Sequence, residues 1–168
     1  MAKKILVIQN PVSGTIQNKM NFDIMINKLK RKRKYDLTIK NTTSTEGADE
    51  IIKKSTEKYD FIFVCGGDGT LNQVITEVST DSTKKRPIIY MPLGTTNDFA
   101  RSLKTKKRKK RKKNLMELSR EQCDTGKIND KYFFNYIAAT RTFYKNIIQY
   151  KQNSKKDFWK TCLCNIWC

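Results

Sequence analysis

Three glycines and one carboxylate stand together in FVCGGDGTLNQV, residues 63–74. Gly66, Gly67 and Gly69 carry no Cβ, so backbone amides there can approach a ligand closely. A helix beginning near Thr70 would aim further amides, and its positive dipole end, at the same point. The chemistry this suits is phosphate binding. Asp68 would repel a bare phosphate, so it implies either a bridging Mg²⁺ or a hydrogen bond that organises a neighbouring loop. The local alternative is a tight strand-to-helix turn whose glycines serve geometry alone. Two familiar phosphate fingerprints are ruled out: G-x-x-x-x-G-K-[ST] does not occur, and G-x-G-x-x-G fails because Gly67 and Gly69 are followed by Asn72.

Two more polar loops carry suitable groups. NPVSG, residues 10–14, offers Asn10, Ser13 and Gly14 as donors for ribose or phosphate, or forms a plain turn. In PLGTTNDFAR, Thr95, Asn97 and Asp98 are either nucleotide contacts or a helix cap.

The elements around these loops follow from apolar spacing. KILVIQ (4–9), YDFIFVC (59–65) and RPIIYM (86–91) are short apolar runs that predict strands covered on both faces, and DLTIK (36–40) alternates with Leu37 and Ile39 on one face. Phe22, Met25, Ile26 and Leu29 predict one amphipathic helix, and Leu71, Val74, Ile75 and Val78 another. Ala48, Ile51 and Ile52 predict a third, with a Thr or Ser of NTTSTEG to cap its start. Strand and helix alternate through residue 103, which predicts an α/β parallel sheet with flanking helices. All three polar loops then leave carboxyl ends of strands, where such sheets bind ligands.

NPVSG, GGDGTLN and PLGTTNDFAR, in this order, resemble the catalytic domain of the diacylglycerol kinase family, which includes bacterial lipid kinases and sphingosine kinases. GGDGT alone is shared with NAD kinases and phosphofructokinase-like folds; the other two motifs belong to the lipid-kinase branch. The resemblance runs from about residue 3 to 103 and resumes over CDTGKINDKYFFNYIAAT. It implies a phosphofructokinase/NAD kinase-like domain that passes the γ-phosphoryl group of ATP to a lipid hydroxyl such as that of diacylglycerol, with Mg²⁺. Carried over by residue, it implies ATP contacts at Asn10, Pro11, Val12, Ser13, Gly14, Thr43, Gly66, Gly67, Asp68, Gly69, Thr70, Leu71, Asn72 and Thr95. Asp68 and Asp98 would be the acidic members that organise nucleotide and metal, with Asp68 toward the metal. The family's second, mainly β domain carries the general base and much of the lipid site. It is largely absent from these 168 residues, so no base is assigned and the chain is expected to be a truncated enzyme whose activity alone is left open.

The expected organisation is therefore a nucleotide-binding domain over 1–103, a basic divergent segment over 104–121, the start of a hairpin over 122–140 and a divergent tail over 141–168. Lys and Arg number 35 against 16 acids, but nine of the basic residues lie in KTKKRKKRKK (104–113) and six in KLKRKRK (28–34). The tract at 104–113 has no interleaved aromatics for stacking bases, which argues against nucleic acid; it is either a solvated charge run with no specific role or, as would suit a lipid kinase, a contact with anionic membrane. The tail contains Cys162, Cys164 and Cys168, whose spacing matches no zinc pattern. A shifted reading frame is one hypothesis for both divergent segments, and a true stop that leaves a nucleotide-binding remnant is the other; the choice is left open. With no histidine, imidazole chemistry is excluded. Five cysteines in no even framework, and no apolar run of membrane length, point to a soluble cytoplasmic protein, and peripheral membrane contact is an option that only the basic tract and the lipid-kinase resemblance add. The alternatives are an NAD kinase-like enzyme and a non-catalytic basic fragment that binds nucleotide or nucleic acid. Oligomeric state is left open.

Overall fold

The structure, a computed structural model, describes residues 2–55, 57–81, 83, 85–102, 120–128, 132–135 and 162–167. The basic tract, the turn at Asn129 and Asp130, and Cys168 lie outside the described residues.

Four parallel strands form the frame: β1 (Lys3–Gln9), β2 (Tyr35–Asn41), β3 (Phe61–Gly66) and β4 (Ile88–Pro92), side by side in the order β2-β1-β3-β4. Side chains alternate across each strand, so Leu6, Ile8, Ile62, Val64 and Ile88 face one side while Ile5, Val7, Phe61, Phe63 and Ile89 face the other. Both sets are buried, which is why the strands read as continuous apolar runs rather than alternating ones. Helix α1 (Ile16–Lys30) covers the second face with Phe22, Ile26 and Leu29. Helices α2 (Ala48–Lys54) and α3 (Asp68–Thr80) cover the first, with Ile51, Ile52, Leu71, Val74, Ile75 and Val78. The chain steps from β1 outward to β2, then crosses back to place β3 on the far side of β1, so the strand order reverses between β1 and β3. That reversal opens a crevice at their carboxyl ends.

The predicted stripes on all three helices are therefore the buried ones, with Met25 partly buried beside its partners. The cap of α2 differs from expectation. Gly47 occupies the cap position with no side-chain bond, and the amide of Ala48 donates instead to Oε1 of Gln73 on α3, at 3.1 Å. Thr43 is spent within its own loop, its Oγ1 accepting from the amides of Thr45 and Glu46. Helix α3 starts at Asp68, two residues before Thr70, and β4 starts at Ile88, two residues after Arg86, whose guanidinium donates to the carbonyls of Tyr59 and Thr83.

A short helix, α4 (Asp98–Ser102), follows β4. Strands β5 (Arg120–Ile128) and β6 (Tyr132–Phe134) pair antiparallel. Strand β7 (Cys162–Trp167), within the tail whose periodicity predicts no element, lies between β4 and β5, parallel to the first and antiparallel to the second.

Candidate functional site

The loops after β1, β3 and β4 are bound to one another at the carboxyl edge of the sheet. Asn10 starts the first. Its backbone amide donates to the Cys65 carbonyl, its Oδ1 accepts from the Val12 amide at 3.0 Å, and its Nδ2 reaches Oγ1 of Thr70 at 3.3 Å. An asparagine is suited to this place because its side chain can satisfy the turn and the next loop together. The loop ends at Gly14, whose φ of +84° favours glycine, and a Cβ there would overlap the Leu93 carbonyl oxygen. The same oxygen accepts a bond from Nδ2 of Asn18 in α1 at 3.0 Å. Thus the first loop is fastened to both of the others.

Asp68 sits in the first turn of α3 but serves the start of α4. Its Oδ2 accepts from the Asp98 amide at 2.8 Å, and its Oδ1 from the Phe99 amide at 3.3 Å, with the Tyr90 hydroxyl at 3.5 Å. A carboxylate on otherwise unbonded first-turn amides is a strong cap. Of the two roles the sequence leaves open for Asp68, the hydrogen bond that organises a neighbouring loop is therefore present. Asp98 points its own carboxylate at Arg101, 3.3 Å away. Between them Asn97 takes the left-handed conformation, φ +50°, and donates from Nδ2 to the Gly94 carbonyl at 2.7 Å.

The glycines divide by what surrounds them. A Cβ on Gly94 would lie 2.7 Å from the Cα of Gly67, so Gly94 is glycine because two loops pass back to back there, whereas a Cβ on Gly67 would meet the Cα of Gly94 at 3.4 Å, an ordinary contact. A Cβ on Gly66 would meet the Thr70 side chain, at 2.8 Å from Oγ1. Gly69 is different: a Cβ there would have no neighbour within 4 Å. Among the described residues no contact of a Cβ requires glycine at 69, where the helix would favour alanine. An open flank beside the amides of a helix start is what a phosphate group needs.

The remaining candidates fall around this edge. Ser13 and Pro11 are partly exposed in the first loop, Val12 is exposed, and Thr95 and Thr43 are exposed in the loops after β4 and β2. The loop after β2 is tied in where the Thr42 amide donates to the Gln9 carbonyl. Leu71 faces the core and its amide donates to the Gly67 carbonyl, so it supports the loop from below. Two buried acceptors, Asn72 Oδ1 and Asn97 Oδ1, have no donor among the described residues. Buried polar atoms are nearly always partnered, and a ligand or its bound water would supply the missing donors. The thiol of Cys65 lies beneath the loops; burial pushes its pKa well above the ordinary thiol range, which removes it as a nucleophile near neutral pH.

Among the described residues no three acidic or cysteine side chains gather closely enough to hold a metal by themselves. Mg²⁺ commonly takes only one or two carboxylates when a nucleotide's phosphates fill its other positions, so the donor set fits a metal that arrives with the nucleotide.

Residues 4–128 match the family of the diacylglycerol kinase catalytic domain, and the chain belongs to that family. It is 29% identical over 156 residues to a diacylglycerol kinase of Staphylococcus carnosus (strain TM300), covering 92% of this chain and 50% of that protein. A diacylglycerol kinase of Bacillus subtilis (strain 168) is 29% identical over 143 residues, 83% of this chain and 46% of its own. The crystal structure of a diacylglycerol kinase from Bacillus anthracis str. Sterne superposes with a TM-score of 0.63 at 26% identity, covering 77% of this chain and 45% of that one. The chain spans about half the length of the curated relatives it matches.

Sequence reasoning missed Gly94, Tyr90 and Gln73. Each acts across loops or helices, so no local spacing signals it; the G before TTND was the one available hint.

Proposed function

We propose that this chain binds Mg·ATP at the carboxyl edge of its sheet and serves a lipid kinase that passes the γ-phosphoryl group to the hydroxyl of diacylglycerol. The observation that carries the reading is the joining of three loops around Gly69 in the first turn of α3, where a Cβ would meet no atom of the described residues within 4 Å. In this reading the first amides of α3 and the loop Asn10–Gly14 hold the phosphates, Thr43, Asn72 and Thr95 lie along the nucleotide, and Asp68 and Asp98 keep the edge in shape. Mg²⁺ would neutralise charge on the transferred group while bound through the nucleotide, with Asp68 as its nearest protein carboxylate. The lipid's position and the base that deprotonates it are not assigned to this chain's residues. Family membership favours this reading over an NAD kinase-like enzyme and over a basic nucleic-acid-binding fragment.

The test is to incubate the chain with diacylglycerol in detergent micelles, Mg²⁺ and ATP labelled on the γ-phosphate. Labelled phosphatidic acid supports the reading in full. Binding of Mg·ATP without label transfer would confine this chain to the nucleotide-binding part, and no binding would overturn the proposal.

A further inference from the structure

Helix α1 is apolar on two sides. Phe22, Ile26 and Leu29 are buried against the sheet, yet Ile16, Met20 and Ile24 stand 81%, 53% and 53% exposed. At 3.6 residues per turn the two triads point to roughly opposite sides of the helix axis, so the second stripe faces directly away from the core. Val12, 88% exposed, stands in the loop that leads into the helix. Single exposed apolar residues are ordinary, but here every large apolar side chain exposed among the described residues falls within thirteen consecutive positions.

Charge decides what such a face would meet. The last turn of α1 carries Lys28 and Lys30, and Arg31, Lys32, Arg33 and Lys34 follow at once. Lys19 flanks the stripe, and through residue 34 Asp23 is the single acid against nine basic residues. An apolar stripe ending in a dense basic cluster is the pattern of a helix that lies in the surface of an anionic bilayer, apolar residues among the acyl chains and cations among the headgroups. A second copy of the same chain would bring one strongly cationic surface against another, which like-charge repulsion opposes.

We infer that the outward face of α1, formed by Ile16, Met20 and Ile24 with Lys28, Lys30 and Arg31, docks the protein on anionic membrane. This deepens the lipid-kinase reading and rests on it for its purpose. The N-terminal end of α1 joins the loop Asn10–Gly14, so a seated helix holds the nucleotide edge beside the bilayer where a diacylglycerol headgroup is found.

The test is sedimentation of the full 168-residue chain with vesicles of phosphatidylglycerol and phosphatidylcholine in equal parts, and with phosphatidylcholine alone. The chain should bind the anionic vesicles, and the variant carrying Ile16→Ser, Met20→Ser and Ile24→Ser should bind about tenfold less. A second variant, Lys28→Gln with Lys30→Gln and Arg31→Gln, should weaken binding and flatten its dependence on salt, and it stands as the test if the first fails to fold. Unchanged binding in the variant that folds overturns the inference, as does a dimer that the serine variant dissociates while vesicle binding stays intact. Mg·ATP titration of the same preparations separates the two claims. Vesicle binding that needs α1 without nucleotide binding sinks the kinase reading alone; nucleotide binding with vesicle binding indifferent to α1 sinks the docking surface alone.

Discussion

The two ends of the parallel sheet use an aspartate in similar ways to opposite purpose. At the amino end Asp60 accepts the Lys4 amide at 2.9 Å and pairs with Lys3 at 3.0 Å, stapling the start of β1 to the start of β3. At the carboxyl end Asp68 accepts the amides of Asp98 and Phe99 and staples the loop after β3 to the loop after β4. Around Asp60 stand ordinary side chains and a cleft of about 210 Å³ lined by Leu6, Ile52, Tyr59, Ile62 and Arg86 among others. Around Asp68 stand glycines, backbone amides of a helix start and two buried acceptors without donors among the described residues. The comparison teaches that a carboxylate bound to backbone marks no function by itself. What marks the carboxyl end is the space left open beside its staple.

The largest expected break comes at Gly14. Gly14→Ala combines a left-handed backbone with overlap on the Leu93 carbonyl, and should cost about 2–4 kcal/mol of stability by chemical denaturation. Equal stability of variant and parent would show that the first and last loops are not in contact. Next is Asp68→Ala, which removes the cap of α4. Stability should fall by about 1–2 kcal/mol, and Mg·ATP affinity should fall at least tenfold because the loops lose their register. Asp68→Asn, which keeps an acceptor without the charge, should recover much of the stability; normal Mg·ATP binding by the alanine variant would contradict the role given to Asp68.

The smallest effect belongs to Asp60. Its partners Lys3 and the Lys4 amide hold its carboxyl below the ordinary carboxylate range. A group with a depressed folded pKa contributes stability that is complete above the unfolded value, near 3.9, and lost as pH falls through the folded one. The thermal midpoint of the parent should therefore drop more steeply below about pH 4 than that of Asp60→Asn, and the exposed site keeps the difference small. Parallel pH profiles would remove the staple at the amino end from the account.

Much of this was legible in the residues. The apolar runs of β1, β3 and β4 and the buried stripes of α1, α2 and α3 follow from local spacing, and local spacing is set by how strands and helices bury one face. The convergence of the loops follows in turn from strand–helix alternation. The reasons for particular residues were less legible. Gly94 is glycine because of the Gly67 backbone, 27 positions away, and Gln73 caps a helix that precedes it; such pairings are fixed by tertiary packing. The second stripe of α1 was visible at spacings of four, at Ile16, Met20 and Ile24, but was overshadowed by the stronger core stripe beside it. Strand β7 carries no period because its place in the sheet is set by partners far off in sequence, β4 and β5.

The most direct test of the nucleotide edge is a calorimetric titration of Mg·ATP into the parent chain and into Gly69→Leu, with a thermal melt of each. A Cβ at 69 meets no atom of the described residues within 4 Å outside the helix's own first turn, and leucine raises helix propensity, so the variant should keep the parent's stability. The account predicts that the parent binds Mg·ATP and that the variant loses at least tenfold in affinity without losing stability. Equal affinity in two equally stable proteins would mean that the space beside Gly69 is not where the phosphates lie.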